Sequence, residues 1–155
     1  MKILVVYYSR SGYTRKVALE LAKELNADLE EIVDKNPRKG FKGYLKSGKE
    51  AMKQELAEIE KIIQRPEHYD LIIVGTPVWM GTMASAIRTY IKNNKKDFKK
   101  VAFFTTQGSS KEQRVFKDMQ KSCGQPPMEK LIIATKEAAK GNFINKIRDF
   151  AKKLK

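Results

Sequence analysis

Five short apolar runs punctuate the chain: Ile3 to Tyr8, Ala27 to Val33, Leu71 to Gly75, Val101 to Thr105 and Leu131 to Thr135. Three of them are unbroken apolar blocks. That is the pattern of parallel strands covered on both faces, where strict alternation would mark a strand with one wet face. Between the runs the apolar period lengthens. Val17, Leu21 and Leu25 recur every four residues with Ala18 and Ala22 beside them, and Phe143, Ile147, Phe150 and Leu154 repeat such a stripe near the end. Helices are also predicted from Ala84 to about Asn93 and from Lys111 to about Ser122, the latter ended by Cys123-Gly124. Asn36-Pro37 and Gly40 signal a turn, and Ser47 to about Ile63 reads as one helix or two. Strand alternating with helix implies a parallel sheet with crossover helices.

The 155 residues suit one domain, 1–155, and no linker, low-complexity tract or repeat divides them. A hydrophobic fraction of 41% argues against disorder. The first apolar run is too short for a signal-peptide core, and no run approaches the roughly 20 residues of a membrane helix, so a cytoplasmic location is expected. The lone Cys123 excludes an internal disulfide or a cysteine metal cluster, and no metal is expected. The formal charge of +14 is the unusual quantity, with lysines dense from Lys92 to Lys100 and again at Lys152, Lys153 and Lys155. Such charge suits nucleic acid, an anionic membrane or an acidic protein, or simply a solvated surface. The Lys92 to Lys100 run has no interleaved aromatic apart from Phe98, so base stacking is not indicated.

Three segments at strand ends carry candidate chemistry. After the first strand, Ser9-Arg10-Ser11-Gly12-Tyr13-Thr14 leads into a helix. Hydroxyls, a glycine and free helix N–H groups there form either an anion cradle or an ordinary capped helix start. After the third strand, Gly75-Thr76-Pro77-Val78-Trp79-Met80-Gly81 presents the chain's only tryptophan among breakers. Its flat indole covers either a planar ring or the core. After the fourth, Thr105-Thr106-Gln107-Gly108-Ser109-Ser110 is small and polar. If the strand order is 2-1-3-4-5, all three segments converge on one crevice beyond the strands' carboxyl ends.

Other motifs fail on a missing residue. Gly43 to Lys49 spells most of a nucleotide-triphosphate loop, but Glu50 stands where a magnesium-binding Ser or Thr belongs. The third strand ends Val74-Gly75-Thr76 with no phospho-acceptor aspartate, and the first loop has no cysteine for a phosphatase. His68 reads as a surface or capping residue.

Tyr8-Ser9-Arg10-Ser11-Gly12-Tyr13-Thr14 resembles the flavodoxin phosphate loop, Ser/Thr-x-Thr-Gly-x-Thr. Gly75 to Gly81 resembles the family's first flavin loop, and Phe103 to Gly108 sits where the second belongs, in order and at the right spacing. The resemblance implies a flavodoxin-like three-layer α/β sandwich, with a five-stranded parallel sheet of order 2-1-3-4-5, helices on both faces, and bound FMN. Flavodoxin is itself the standard example of that order with FMN at the switch point, so this is the family's property and not a deduction from the chain. By the resemblance, Ser9, Ser11, Gly12, Tyr13 and Thr14 hold the phosphate, with Arg10 at the same loop. Trp79 covers one ring face. Backbone at Thr76, Pro77, Val78, Met80 and Gly81, and at Thr106, Gln107, Gly108 and Ser109, meets the ring's edge. No catalytic side chain is implied.

Two departures stand out. No tyrosine occurs between Val101 and Phe116 to cover the second ring face, and the chain is basic where flavodoxins are acidic. The resemblance implies an electron carrier, and the basic charge an acidic redox partner met in a salt-sensitive encounter. The alternatives are an NAD(P)H-dependent FMN or quinone reductase, often dimeric, and a basic binding module with a vestigial flavin site. Positive surroundings predict a less negative potential for the fully reduced flavin than in acidic relatives.

Overall fold

Strand β1 (Ile3–Tyr7) is buried at every position, as its unbroken apolar run requires. It is followed by α1 (Tyr13–Leu25) and β2 (Asp28–Glu31), then, after a 3-10 turn at Pro66–His68, by β3 (Leu71–Trp79) and the two-residue β4 (Thr82–Met83). Next come α2 (Ser85–Asn94), β5 (Val101–Gln107), α3 (Val115–Cys123), β6 (Lys130–Ala134), α4 (Thr135–Lys140) and α5 (Ile144–Leu154). The computed structural model describes residues 1–36, 56–109, 111–112 and 114–155.

Five strands pair in parallel in the order β2-β1-β3-β5-β6, and β4 joins β3 antiparallel. Without the β4 hairpin this is the expected 2-1-3-4-5 sheet. Successive residues of a strand point to opposite faces, so the central strands feed two cores. Leu71, Ile73, Ala102 and Phe104 meet Val17 and Leu21 of α1 and Ile147 and Phe150 of α5. Ile72, Val74, Val101 and Phe103 meet Ile87 and Ile91 of α2 and Phe116 and Met119 of α3. At about 1.5–3 kcal/mol per fully buried large side chain, these two layers supply the main favourable term.

The third strand departs from expectation by running on to Trp79. Gly75 does not break it. A Cβ there would lie 1.9 Å from Cζ of Phe104, its neighbour on β5, so the glycine makes room for that ring. Beyond the sheet, Val78 and Trp79 pair with Met83 and Thr82. The connecting Met80 (φ 51°) and Gly81 (φ 81°) both take the left-handed backbone that two-residue hairpins of this hand require.

The remaining differences are local. β5 continues to Gln107, α3 starts at Val115, and the short α4 ends in a left-handed Gly141 before α5 begins. Residues 56–63, expected to be helical, form no helix, and an isolated bridge pairs Ile59 with Asp34. Thr89 Oγ1 accepts from Ala57 N (2.9 Å) and donates to Ala57 O (2.8 Å), while the Glu30 carboxylate accepts from Ile63 N and Gln64 N. The remainder of that predicted helix, Gly40 and the Gly43 to Lys49 motif lie outside the described residues. Among the described residues, no helix is long and apolar enough to cross a membrane.

Candidate functional site

A crevice of about 470 Å³ opens beyond the carboxyl ends of β1, β3 and β5. Arg10, Ser11, Tyr13 and Thr14 line it from the loop into α1, Pro77, Val78 and Trp79 from the end of β3, and Thr106, Gln107 and Gly108 from the end of β5. The topology thus brings together the three segments singled out in the sequence.

The first loop is built around Ser9. Its Oγ accepts from Gly12 N (3.1 Å) and Arg15 N (3.3 Å), pulling the chain into the turn that starts α1. Gly12 sits at φ 97° with nothing within 4 Å of a would-be Cβ, so its constraint is backbone conformation and not space. Tyr13 and Thr14 are the first residues of α1, so their N–H groups have no partner within the helix. With the positive end of the helix dipole behind them, they favour an anion.

Thr14 Oγ1 lies 2.6 Å from Thr106 Oγ1, a buried bond that ties the first wall to the third. Behind the third wall, Gln107 Nε2 donates to Ser109 O (2.8 Å) and Lys111 O (2.7 Å), and its Oε1 accepts from Thr105 Oγ1 (2.9 Å). Gln107 therefore braces the turn after β5. Thr76 does the same for the hairpin, donating to Pro77 O (2.8 Å) and accepting from Ala84 N (3.0 Å). Trp79 is only 7% exposed and packs edge-on against Tyr8, ring centres 5.6 Å apart at 85°. Its indole is a wall continuous with the core.

Six expected residues do not line the crevice. Ser9, Gly12 and Thr76 shape its walls from behind, Met80 and Gly81 form the hairpin turn, and Ser109 is held in the turn after β5. Conversely, Thr135, Lys136 and Ala139 of α4 add a fourth wall that the sequence reading missed. The available signal was positional. Gln107 pairs with Ala134, so the residue after β6 also emerges at this end of the sheet.

Among the described lining residues there is no Asp, Glu, His or Cys. The walls offer N–H and hydroxyl groups, two cations and an apolar face, which suits binding and orienting a polar, anionic group with a flat apolar part. Burial pushes the Cys123 thiol up to about 12, which keeps it protonated. His68 is exposed on the 3-10 turn before β3, at the opposite end of the sheet.

The comparisons with known proteins agree with this geometry. The FMN complex of a flavoprotein from Lactobacillus acidophilus is 26% identical with a TM-score of 0.74, covering 90% of this chain and 97% of that one. A flavoprotein from Bacteroides uniformis has a TM-score of 0.79 at 21% identity over 97% of each chain, which speaks for the fold alone. A curated relative from Archaeoglobus fulgidus, named NAD(P)H dehydrogenase (quinone), is 32% identical over 103 residues, 58% of this chain and 49% of that protein. The chain thus spans about half the length of that relative. A family model described as flavodoxin matches residues 2–147, nearly the whole chain. By that match, by the sheet order and by the crevice at its switch point, the chain belongs to the flavodoxin family.

Proposed function

We propose that this protein binds FMN in the crevice and carries electrons through it to other proteins. The observation that carries this reading is the convergence of an anion cradle, a buried indole wall and a polar turn on one crevice. The residues fit the group. The N–H groups of Tyr13 and Thr14, with the Ser11 hydroxyl and Arg10, would hold a phosphate monoester. Pro77, Val78 and Trp79 would cover an apolar ring, and the turn at Gln107 and Gly108 would meet its polar edge. When bound, FMN supplies reversible one- and two-electron redox chemistry.

The chain's own part is to hold and to tune. The Thr14–Thr106 bond fixes the cradle relative to the ring-edge turn, and Gln107 keeps that turn from shifting. The indole and its neighbours exclude water from one side. An acidic partner would meet the exposed Lys111 and Arg114 in the segment that follows the turn after β5. The Lys92 to Lys100 run lies elsewhere, directly before β5 and so at the amino ends of the strands.

The name of the Archaeoglobus relative, together with the absence of a tyrosine between Val101 and Phe116, favours a second reading: an NAD(P)H-dependent flavin or quinone reductase using the opposite ring face. Mixing FMN-loaded protein with NADPH without oxygen separates the two. A carrier keeps its oxidised spectrum until dithionite is added. Rapid bleaching by NADPH would put the reductase first, and failure to retain FMN at all would leave the vestigial-site alternative.

A further inference from the structure

We infer that Lys136 supplies the counter-charge for the cofactor's phosphate, so that this crevice selects a phosphorylated flavin by charge as well as by shape. The inference rests on the FMN reading and extends it to a residue outside the three expected loops.

Lys136 lies on α4, whose Thr135, Lys136 and Ala139 share the crevice with Ser11, Tyr13 and Thr14. Three contacts fix α4 in place. Glu137 Oε2 accepts from Ala134 N (2.9 Å), Glu137 Oε1 accepts from Lys146 Nζ (2.7 Å), and Lys16 Nζ of α1 donates to Ala138 O (3.2 Å). The nearest acid in sequence, Glu137, is thereby committed to Lys146 and a backbone amide. Lys136 is exposed and forms no ion pair among the described residues. It is therefore a free cation on a rigid wall facing the cradle.

Charge balance gives it a task. The amino end of α1 amounts to roughly half a positive charge, whereas a phosphate monoester carries about −1.5 to −2 near neutral pH. Backbone N–H groups alone leave most of that charge uncompensated. Lys136 is a full cation lining the same crevice, so it supplies part of what the helix end leaves uncompensated. A dephosphorylated flavin would gain nothing from Lys136.

The test is to titrate FMN and riboflavin into flavin-free wild-type, Lys136→Gln and Lys136→Arg proteins at low and high salt. Lys136→Gln should weaken FMN about three- to tenfold at low salt, as expected for a partly exposed charged contact. Riboflavin affinity should stay the same, the FMN loss should shrink at high salt, and Lys136→Arg should retain most of the affinity. Unchanged FMN affinity in Lys136→Gln, or equal weakening of both flavins, overturns the inference while leaving the FMN reading intact. A wild-type protein that binds neither flavin overturns both.

Discussion

At the carboxyl ends of β1, β3 and β5 the chain presents hydroxyls, backbone N–H groups and one indole around a crevice; at the amino ends it presents lysines. Lys92, Lys95, Lys96, Lys99 and Lys100 are all exposed in the segment that ends α2 and leads into β5. Seven residues of β5 separate Lys100 from the turn after Gln107, a rise of roughly 20 Å. The Debye length at physiological salt is only about 8 Å. The charge of this segment is therefore largely screened from the crevice. Arg10 and Lys136 line the crevice itself, so the less negative flavin potential expected from net charge should trace more to them than to the lysines at the amino ends.

The contrast between the ends can be broken most severely at Trp79. Trp79→Ala should cost about 3–5 kcal/mol of stability, because the indole is nearly as buried as a core residue. Urea unfolding checks this, and unchanged stability with impaired flavin binding would make the indole a lid instead of a wall. Gly75→Ala comes next, at about 2–3 kcal/mol, since a methyl group cannot share space with the Phe104 ring. A neutral result in the same assay would mean that β3 and β5 can part without loss.

A smaller effect belongs to Glu137. Burial pulls its pKa upward, but the Lys146 hydrogen bond and the Ala134 amide outweigh this and hold it below the ordinary 4.5. A folded pKa depressed in this way gives stabilisation that is present above the unfolded value and lost as pH falls through the folded one. Glu137→Gln should therefore lower the melting temperature slightly at pH 7, and the difference should shrink and vanish as acid protonates the folded carboxylate. A difference that persisted there would point to packing instead of charge. The smallest effect is expected at the far end. Replacing Lys95, Lys96 and Lys99 together with Gln should change FMN affinity by less than about twofold at physiological salt. A larger change would show that the two ends are not electrically separate.

Much of the scaffold was legible because a strand buried on both faces must be apolar throughout, as Ile3 to Tyr7 and Leu71 to Val74 are. The stripe on α1 and the one on α5 were legible for the same reason, each having one dry side. What escaped depended on partners far along the chain. Gly75 reads as a breaker until Phe104 is seen above it. α4 buries only Ala138, so it has no stripe to detect. The three loops of the site could be picked out, but which residues face the crevice could not. Ser9 and Thr76 look like contacts in sequence, yet both stand behind the walls, with their side chains bonded to neighbouring backbone.

The bond between Thr14 and Thr106 joins positions 92 residues apart, and this has a consequence for assembly. The cradle leaves the ribosome before β5 and β6, so it acquires its opposing wall only after β5 has docked and its Lys136 wall only after β6. No early fragment can present the whole crevice, so a ligand seated there would recognise the completed sheet and tilt the equilibrium toward it. Occupancy of the crevice would then report that the chain has finished folding.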